Sequence, residues 1–293
     1  MLSLLTEKIL KNEFIHEKQP NSFLDQCKLI HSKFLNDCRY VFQSVNTEYI
    51  AIMTLTNPNA HNENRYTVKN KQFATHRTNG TTIVLIFNKF DPTLQLPTCN
   101  AKCNTNDNEI YYYKTIERAF YNDLKQTQYT GEYYDWHVNG TLKVKGFLTN
   151  GKLDGECNEY FETSQLCTKA VYLNGKLNGE YCEYHENGKK SLIGNFVSNS
   201  TQSDTQVGFS VSWYANGEKM YEGSYDTEGL KHGCWMNWSD NGMRQVFETY
   251  KHGKLDGFYV QYNNIGYNRV EIAGIYTSNV FEQYDLNKIE LLL

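Results

Sequence analysis

The chain has 293 residues and a formal net charge of −4 at pH 7; 40% of the residues are hydrophobic, 14% aromatic and 21% charged. This composition is typical of a globular chain and excludes the disordered and fibrous classes. No apolar run approaches the ~20 residues that a transmembrane helix needs, and 23 Tyr against 4 Pro favour β-structure, because aromatic rings fit a pleated, half-buried surface.

Charge divides the sequence into two parts. Residues 1–130 carry 15 Lys and Arg against 12 Asp and Glu, whereas residues 131–293 carry 14 against 21. Nucleic acids and anionic lipids are bound largely through Lys and Arg. We therefore predict no nucleic-acid partner, and the acidic second part disfavours contact with a membrane.

Residues 1–130 are predicted to form a small α+β domain, with helices near its start. Residues 4–10 have apolar side chains at helical spacing, and a second helix begins at Asn21 or Ser22, either of which can cap it. An apolar stripe on this second helix comprises Phe23, Cys27, Ile30 and Phe34. The stripe fits packing against neighbouring elements, and a partner-binding helix is the alternative.

Strands are predicted in the remainder of this domain. One predicted hairpin joins Arg39–Val45 to Tyr49–Leu55. A second joins Tyr66–Ala74 to Thr82–Phe90 around Asn79-Gly80, a dipeptide that favours tight hairpin turns. Further along, the predicted elements are a strand at Ile110–Tyr113 and a short helix at Thr115–Leu124.

The sequence contains no convincing metal or catalytic motif. Its eight cysteines are irregularly spaced, so we expect reduced thiols rather than a disulfide framework. Cys99 and Cys103 form the one close pair, and a structural zinc site usually needs four ligands in two such pairs. A Gly-rich phosphate loop, a Gly-x-Ser-x-Gly elbow and a His-Glu-x-x-His helix are all missing. We predict no catalytic residues, no metal and no cofactor.

A ten-residue phrase recurs through the second part of the chain, as in GEYYDWHVNG and GEYCEYHENG. A second phrase, NGKLDG or a close variant, links several of the copies. Such periodicity indicates a repeat array. The six copies begin at Gly131, Gly155, Gly179, Gly208, Gly233 and Gly257.

Positions within each unit are counted from its first glycine as 0. Position 5 is always aromatic and position 3 mostly apolar, whereas position 4 is always polar. Neighbouring side chains of a strand point to opposite faces, so positions 3 and 5 are predicted to face inward and position 4 to face water. The predicted structural core is the column of position-5 rings: Trp136, Tyr160, Tyr184, Trp213, Trp238 and Tyr262.

Each unit is predicted to be one β-hairpin. Asn-Gly at positions 8 and 9 of four units supports a three-residue loop, which would pair position 5 with 11 and position 3 with 13. A lone hairpin is marginal in water. The hairpins are therefore predicted to stack side by side into one sheet, in which a small residue at position 15 leaves room for a neighbouring ring.

This pattern resembles the MORN (membrane occupation and recognition nexus) repeat family, in the second variant found in bacterial antitoxin-type proteins. The matching phrases are Gly-x-aromatic-x-x-Tyr/Trp-x-x-Asn-Gly and Asn-Gly-Lys-Leu-Asp-Gly, between Gly131 and about Tyr276. The chain departs from the pattern at Thr163-Ser164 and at an insertion, Ser198–Gln206. The resemblance implies an elongated array of about six stacked antiparallel β-hairpins, used for protein interaction, dimerisation or membrane attachment, without catalysis of its own.

Two sets of residues are candidates for an interaction surface. Aromatic side chains at position 2 lie on the face predicted to be wet, where they are either covered by the first domain or left to bind a partner. These are Tyr133, Tyr181, Trp235 and Tyr259. A solvated row on the outer face, or alternatively a surface for calcium or a basic partner, is predicted from the acidic residues at positions 1 and 4: Glu132, Asp135, Glu156, Glu159, Glu180 and Glu183.

The sequence thus predicts a mainly β chain with three parts: an α+β domain at 1–130, the repeat array at 131–276 and a C-terminal cap at 277–293. The leading hypothesis is a non-enzymatic protein-interaction scaffold whose array binds a protein partner or a second copy of the chain. The alternatives are an N-terminal effector or enzyme regulated by the array, and a membrane-associated adaptor.

A cytoplasmic location is expected, because the first residues lack a signal-peptide pattern. Abundant Asn, Lys, Tyr and Ile suggest an AT-rich genome such as that of a large DNA virus, in which case the cytoplasm is that of the host.

Overall fold

The computed structural model describes residues 22–56, 62–97, 102–104, 110–198, 204–263, 269–277 and 280–285. The fold is mainly β, as predicted. One compact unit comprises the described residues up to Arg65 together with Thr75–Asp123, and the other comprises Tyr66–Ala74 and the described residues from Leu124 onward. The helix predicted at residues 4–10, Cys99 and the last eight residues of the predicted cap lie outside the described ranges.

The described part of the first unit contains three short helices and seven strands. Helices α1, α2 and α3 span Phe23–Ile30, Ser32–Leu35 and Ile116–Tyr121. Strands β1 to β7 span Tyr40–Val45, Tyr49–Leu55, His76–Thr78, Gly80–Asn88, Gln95–Leu96, Lys102–Asn104 and Ile110–Tyr112. An antiparallel sheet has the order β1-β2-β4-β5, with β6 also paired to β4, and β3 pairs separately with β7.

Local capping chemistry sets the starts of the two longer helices. The Ser22 hydroxyl accepts a hydrogen bond from the Asp25 N–H at 3.1 Å, so α1 begins where the sequence predicts. The Thr115 hydroxyl accepts from the Arg118 N–H at 3.3 Å and caps α3 in the same way. Within these described residues, no helix is long and apolar enough to cross a membrane.

Of the two predicted hairpins in the first unit, one is confirmed and one is wrong. Strands β1 and β2 pair from Tyr40↔Thr54 to Val45↔Tyr49. The hairpin around Asn79-Gly80 does not form, because β3 pairs with β7 whereas β4 pairs with β2. Tyr66–Ala74 is not a strand but a turn-rich segment of the second unit, in which the Lys69 N–H and Asn70 N–H both donate to the Asn139 carbonyl at 2.9 Å.

A buried lysine lies in the first unit among polar groups. The Lys89 ammonium donates to the Ser44 hydroxyl at 2.9 Å and to the Asn122 carbonyl at 2.8 Å, and the Cys27 thiol donates to the Lys89 carbonyl at 3.4 Å. Burial lowers the pKa of Lys89 from 10.5 to about 8, against the raising effect of the Asp123 carboxylate. Burial also raises the pKa of the Cys27 thiol to about 12.

The second unit is built around one antiparallel sheet of 14 strands, β8 to β21. A 3-10 turn at Leu124–Gln126 precedes it. Strand β9 pairs with β8, β10 and β11, and from β11 to β21 each strand pairs with the next along the chain. The strands span Gly131–Trp136, Leu142–Thr149, Lys152–Leu153, Gly155–Tyr160, Leu166–Leu173, Lys176–Tyr184, Lys190–Val197, Thr205–Trp213, Lys219–Tyr225, Lys231–Trp238, Arg244–Lys251, Lys254–Tyr262, Val270–Thr277 and Val280–Gln283.

A one-residue shift in every hairpin corrects the predicted register. In the first repeat unit Trp136 opposes Leu142, so position 5 opposes position 11 as predicted. Asp135 opposes Val144, however, so position 13 is opposed by position 4 and not by position 3. The same irregularity between positions 4 and 5 recurs in all six hairpins. A shift of one residue exchanges the faces of a strand. Position 2 is therefore on the same face as positions 13, 15 and 17.

We name the two faces by this register. The packed face carries positions 2, 4, 13, 15 and 17, and the open face carries positions 1, 3, 14 and 16. Most of the buried apolar side chains of the array belong to the packed face: Tyr133, Val144, Leu148, Cys157, Ala170 and Trp235. On the open face Val211, at position 3, and Ala273 are also buried. The bulge therefore changes which return-strand positions share a face with positions 3 and 5, which the predicted turn did not anticipate.

The buried Lys89 predicts a specific pH dependence of stability. Since its pKa is about 8 in the folded state and 10.5 in the unfolded state, the unfolded chain retains a proton between these values that the folded chain has released. The free energy of unfolding contributed by Lys89 should therefore rise with pH from about 8 to 10.5, by at most about 3 kcal/mol.

Chemical unfolding of the native protein and of Lys89→Met at several pH values would measure this difference. In the Met variant this rise should be missing, although loss of the two hydrogen bonds lowers its stability at every pH. Parallel pH profiles for the two proteins would contradict the prediction.

Candidate functional site: the two faces of the hairpin array

On the packed face, the four aromatic residues at position 2 lie in one row across the strands, mostly beside glycine or alanine. In the first five units position 2 opposes position 15 of its own unit, and in the last unit Tyr259 opposes Gly274, at position 17. Tyr181, for example, pairs with Gly194 and with Ala170 of the preceding unit. The row across the sheet is Tyr133, Gly146, Cys157, Ala170, Tyr181, Gly194, Ser210, Gly223, Trp235, Glu248, Tyr259 and Gly274. At Gly223 the small residue at position 15 makes room for a neighbouring ring, as predicted, whereas position 15 of the fifth unit is Glu248.

Trp235 shows how closely this row packs. The side chain is 2% exposed, and its ring centroid lies 4.9 Å from that of Tyr225 and 5.6 Å from that of Tyr221. The Lys231 ammonium lies over the indole at 4.4 Å, and the indole N–H donates to the Ser224 carbonyl at 3.1 Å. A β-carbon on Gly223 would lie only 2.2 Å from the indole Cδ2. The indole therefore fits because position 15 is glycine.

The four aromatic residues predicted as a partner surface all belong to this packing. Tyr133 is 6% exposed, with the Lys125 ammonium 5.1 Å from its ring, and Trp235 is covered as described above. Tyr181 and Tyr259 are half-buried; Tyr181 packs edge-on against Phe196 at 5.2 Å, and Tyr259 packs edge-on against Tyr276 at 5.6 Å. The expectation that this face is wet is not met, because the bulge brings positions 13 and 17 onto it.

The six position-5 rings are half-buried throughout the array. Trp136 is stacked on Phe73 at 4.9 Å and lies 6.2 Å from Tyr134, its neighbour two residues earlier on the strand. The Lys219 ammonium lies 5.3 Å from the Trp238 ring. These rings border the bulge and do not form the deepest layer of the array.

The open face is more exposed than the packed face, and it carries a groove that crosses the second, third and fourth repeat units. All six position-1 side chains are exposed, and two of them are phenylalanines: Phe209 is 56% exposed and Phe258 is 59% exposed. The groove has a volume of about 410 Å³. Its apolar lining includes Val171, Ile193 and Phe209, and its charged lining comprises Glu156, Lys169, Glu180 and Lys190.

The predicted acidic row is divided between the two faces. Positions 1 and 4 are three residues apart, so their side chains point to opposite sides of the strand. Glu156 and Glu180 lie on the open face and line the groove, whereas Glu159 and Glu183 lie on the packed face. On the open face the Lys169 ammonium lies 3.9 Å from the Glu156 carboxylate, so the groove contains both signs of charge.

Sequence reasoning missed the groove, although one signal for it exists. Position 1 is glutamate in the first three units and changes to phenylalanine at Phe209. It also missed a group that could hold a metal ion, formed by Asp226, His232 and His252, whose ligand atoms all lie within 4.8 Å of one another. No other such group of His, Cys, Asp or Glu occurs in the ranges that the structure describes, those of the first unit included.

The Gly223–Trp235 contact predicts that Gly223→Ala destabilises the array. The added methyl overlaps the indole, and overpacking of this kind costs about 1–3 kcal/mol. In a Trp235→Leu background the same substitution should cost much less, because the overlapping ring is gone. Equilibrium unfolding of the four proteins forms a double-mutant cycle. An equal cost of Gly223→Ala in both backgrounds would show that the ring is not the cause.

No family model matches the chain, and no curated protein matches it.

Proposed function

We propose that the chain is a non-enzymatic protein-interaction scaffold whose array binds an extended segment of a partner protein in the groove on the open face. The observation that carries this proposal is the groove itself, which is lined by an exposed phenylalanine, by other apolar side chains and by charged side chains of both signs. The resemblance to MORN repeats, which implies a role in protein interaction, supports it.

The lining favours a peptide segment over a small metabolite. Aromatic residues at exposed positions with apolar neighbours are typical anchors of protein interfaces. Phe209 and Ile193 offer a surface for one apolar side chain, and the charged groups beside them offer partners to ionic side chains on either side. The segment that fits best carries an apolar residue flanked by a basic and an acidic residue.

The charged side chains of the lining would set the orientation in which a partner segment binds, in addition to strengthening its binding. The glutamates and lysines of the lining come from different units, Glu156 and Lys169 from the second and Lys190 from the third. Complementary charges across an interface fix the register of the partner and exclude partners of the wrong pattern. This is consistent with an array that selects one partner through several consecutive hairpins.

Phe209→Ala should weaken partner binding, and Phe258→Ala is the matched control. Both phenylalanines stand at position 1 and are equally exposed, but only Phe209 lines the groove. Loss of an aromatic anchor costs about 2 kcal/mol, roughly a 30-fold loss of affinity.

The partner would first be captured by photo-cross-linking from p-benzoylphenylalanine placed at position 209 of the full chain. The affinities of the captured protein for the native chain and for the two alanine variants would then be measured by calorimetry. If the captured protein is a second copy of this chain, light scattering replaces calorimetry. Equal affinities for the two alanine variants would overturn the groove as the binding site.

A further inference from the structure

Three residues of two neighbouring repeat units lie close together where the strands of the array are joined by turns. Asp226 follows β16, His232 is the second residue of β17, and His252 lies in the turn between β18 and β19. The Asp226 Oδ2 lies 2.8 Å from the His252 Nδ1, and the backbone N–H of His252 donates to the His232 Nδ1 at 3.4 Å. The two imidazole rings lie 5.0 Å apart.

We propose that Asp226, His232 and His252 form a binding site for a transition-metal ion, with Zn²⁺ as the reference ion. Two imidazoles and one carboxylate are a ligand set that zinc, copper and nickel prefer, whereas Mg²⁺ and Ca²⁺ take oxygen ligands. The sequence alone predicts no metal, and this site is independent of the proposed protein-binding groove.

The carboxylate is held in place by the backbone as well as by its contact with His252. The Asp226 Oδ1 accepts hydrogen bonds from the Leu230 N–H at 2.9 Å and the Glu228 N–H at 3.0 Å. The other oxygen, Oδ2, is thereby directed towards His252. Fixing of one carboxylate oxygen by surrounding donors is the usual support of a metal-ligating carboxylate.

The backbone also holds the two histidine-bearing segments together. The Gly253 N–H donates to the Lys231 carbonyl at 2.8 Å, which places the turn of His252 beside the residue that precedes His232. The same backbone bond recurs in the second unit, where the Gly175 N–H donates to the Leu153 carbonyl at 2.7 Å. The scaffold of the site is thus part of the repeat and does not depend on the imidazoles.

The two histidines are departures from the repeat that the fold does not require. His252 adopts a φ of 46°, and the equivalent turn residues of the first two units, Asn150 and Asn174, adopt 51° and 52°. His232 precedes the first glycine of its unit, a position that is Asp154 in the second unit. Asparagine suits this left-handed turn position at least as well as histidine. Both imidazoles therefore occur where the turn needs only Asn or Asp, and they face the fixed carboxylate.

Metal binding requires only a small contraction of the site. Ligand atoms in a tetrahedral zinc site with bonds near 2.0–2.1 Å are separated by about 3.3 Å, and the three atoms here already lie within 4.8 Å. The His252 side chain is 63% exposed and can rotate to close this difference. Three protein ligands leave a fourth position for water or for a group of another molecule.

Binding of Zn²⁺ to the full chain, after treatment with a chelator, tests the proposal. We expect one Zn²⁺ per chain by isothermal titration calorimetry, and a rise in the melting temperature that Mg²⁺ does not produce, because an ion bound only to the folded state stabilises it. The Co²⁺ complex should lack the thiolate charge-transfer band that cysteine ligation would give.

His252→Asn and His232→Asn restore residues that other units carry at these positions, so both variants should fold. Each should weaken Zn²⁺ binding at least tenfold and abolish the rise in melting temperature. Asp226→Asn keeps an oxygen for the two backbone donors but removes the charge, and it should weaken binding similarly. His185→Asn is the control and should bind as the native chain does. Native-like Zn²⁺ affinity in His252→Asn and His232→Asn, or no binding by the native chain, would overturn the proposal.

Discussion

The architecture of the array depends on one extra residue in the return strand of every hairpin. Without this bulge, the position-5 rings would share a face with positions 11 and 13, and the sheet would bury its odd positions. With it, position 4 opposes 13 and position 2 opposes 15. The aromatic residues at positions 2 and 17 then lie on one face, and the exposed position-1 side chains lie on the other. Both the packed row and the groove follow from this single register choice.

This register places position 2 opposite position 15, and a glycine at position 15 leaves the space that a large side chain at position 2 needs. An antiparallel pair brings directly opposed β-carbons close together, so two large side chains cannot both lie flat against the sheet. In the native row, Gly223 leaves the space that the Trp235 indole fills, and Gly146 leaves the space beside Cys157. The stacking of hairpins is therefore stabilised by shape as well as by backbone hydrogen bonds where a small residue at position 15 faces a larger side chain of the neighbouring unit.

The sequence predicts the repeat, the six hairpins, their stacking order and the role of the small residue at position 15. It does not predict the faces, because the bulge is decided by the competition between two registers that differ by one residue, and the local turn signal is the same for both. A better indication existed in position 17, which is apolar or aromatic in the first five units and matches the aromatic residues at position 2. The groove joins exposed residues of three units, and Asp226 and His252 are 26 residues apart, so neither site can be found before the stacking is known.

Two of the six position-2 residues in the packed row, Cys157 and Ser210, are not aromatic, and the second has a consequence for local stability. At Ser210 the aromatic side chain is replaced by a hydroxyl that donates to the Ile193 carbonyl at 3.2 Å and accepts from the Gln206 amide at 2.8 Å, with glycine on either side. In a linear array each repeat is stabilised only by its nearest neighbours, and local opening starts where the neighbour contact buries least apolar surface. We therefore expect local opening of the array to start beside Ser210, where a hydrogen-bonded hydroxyl and two glycines take the place of packed rings.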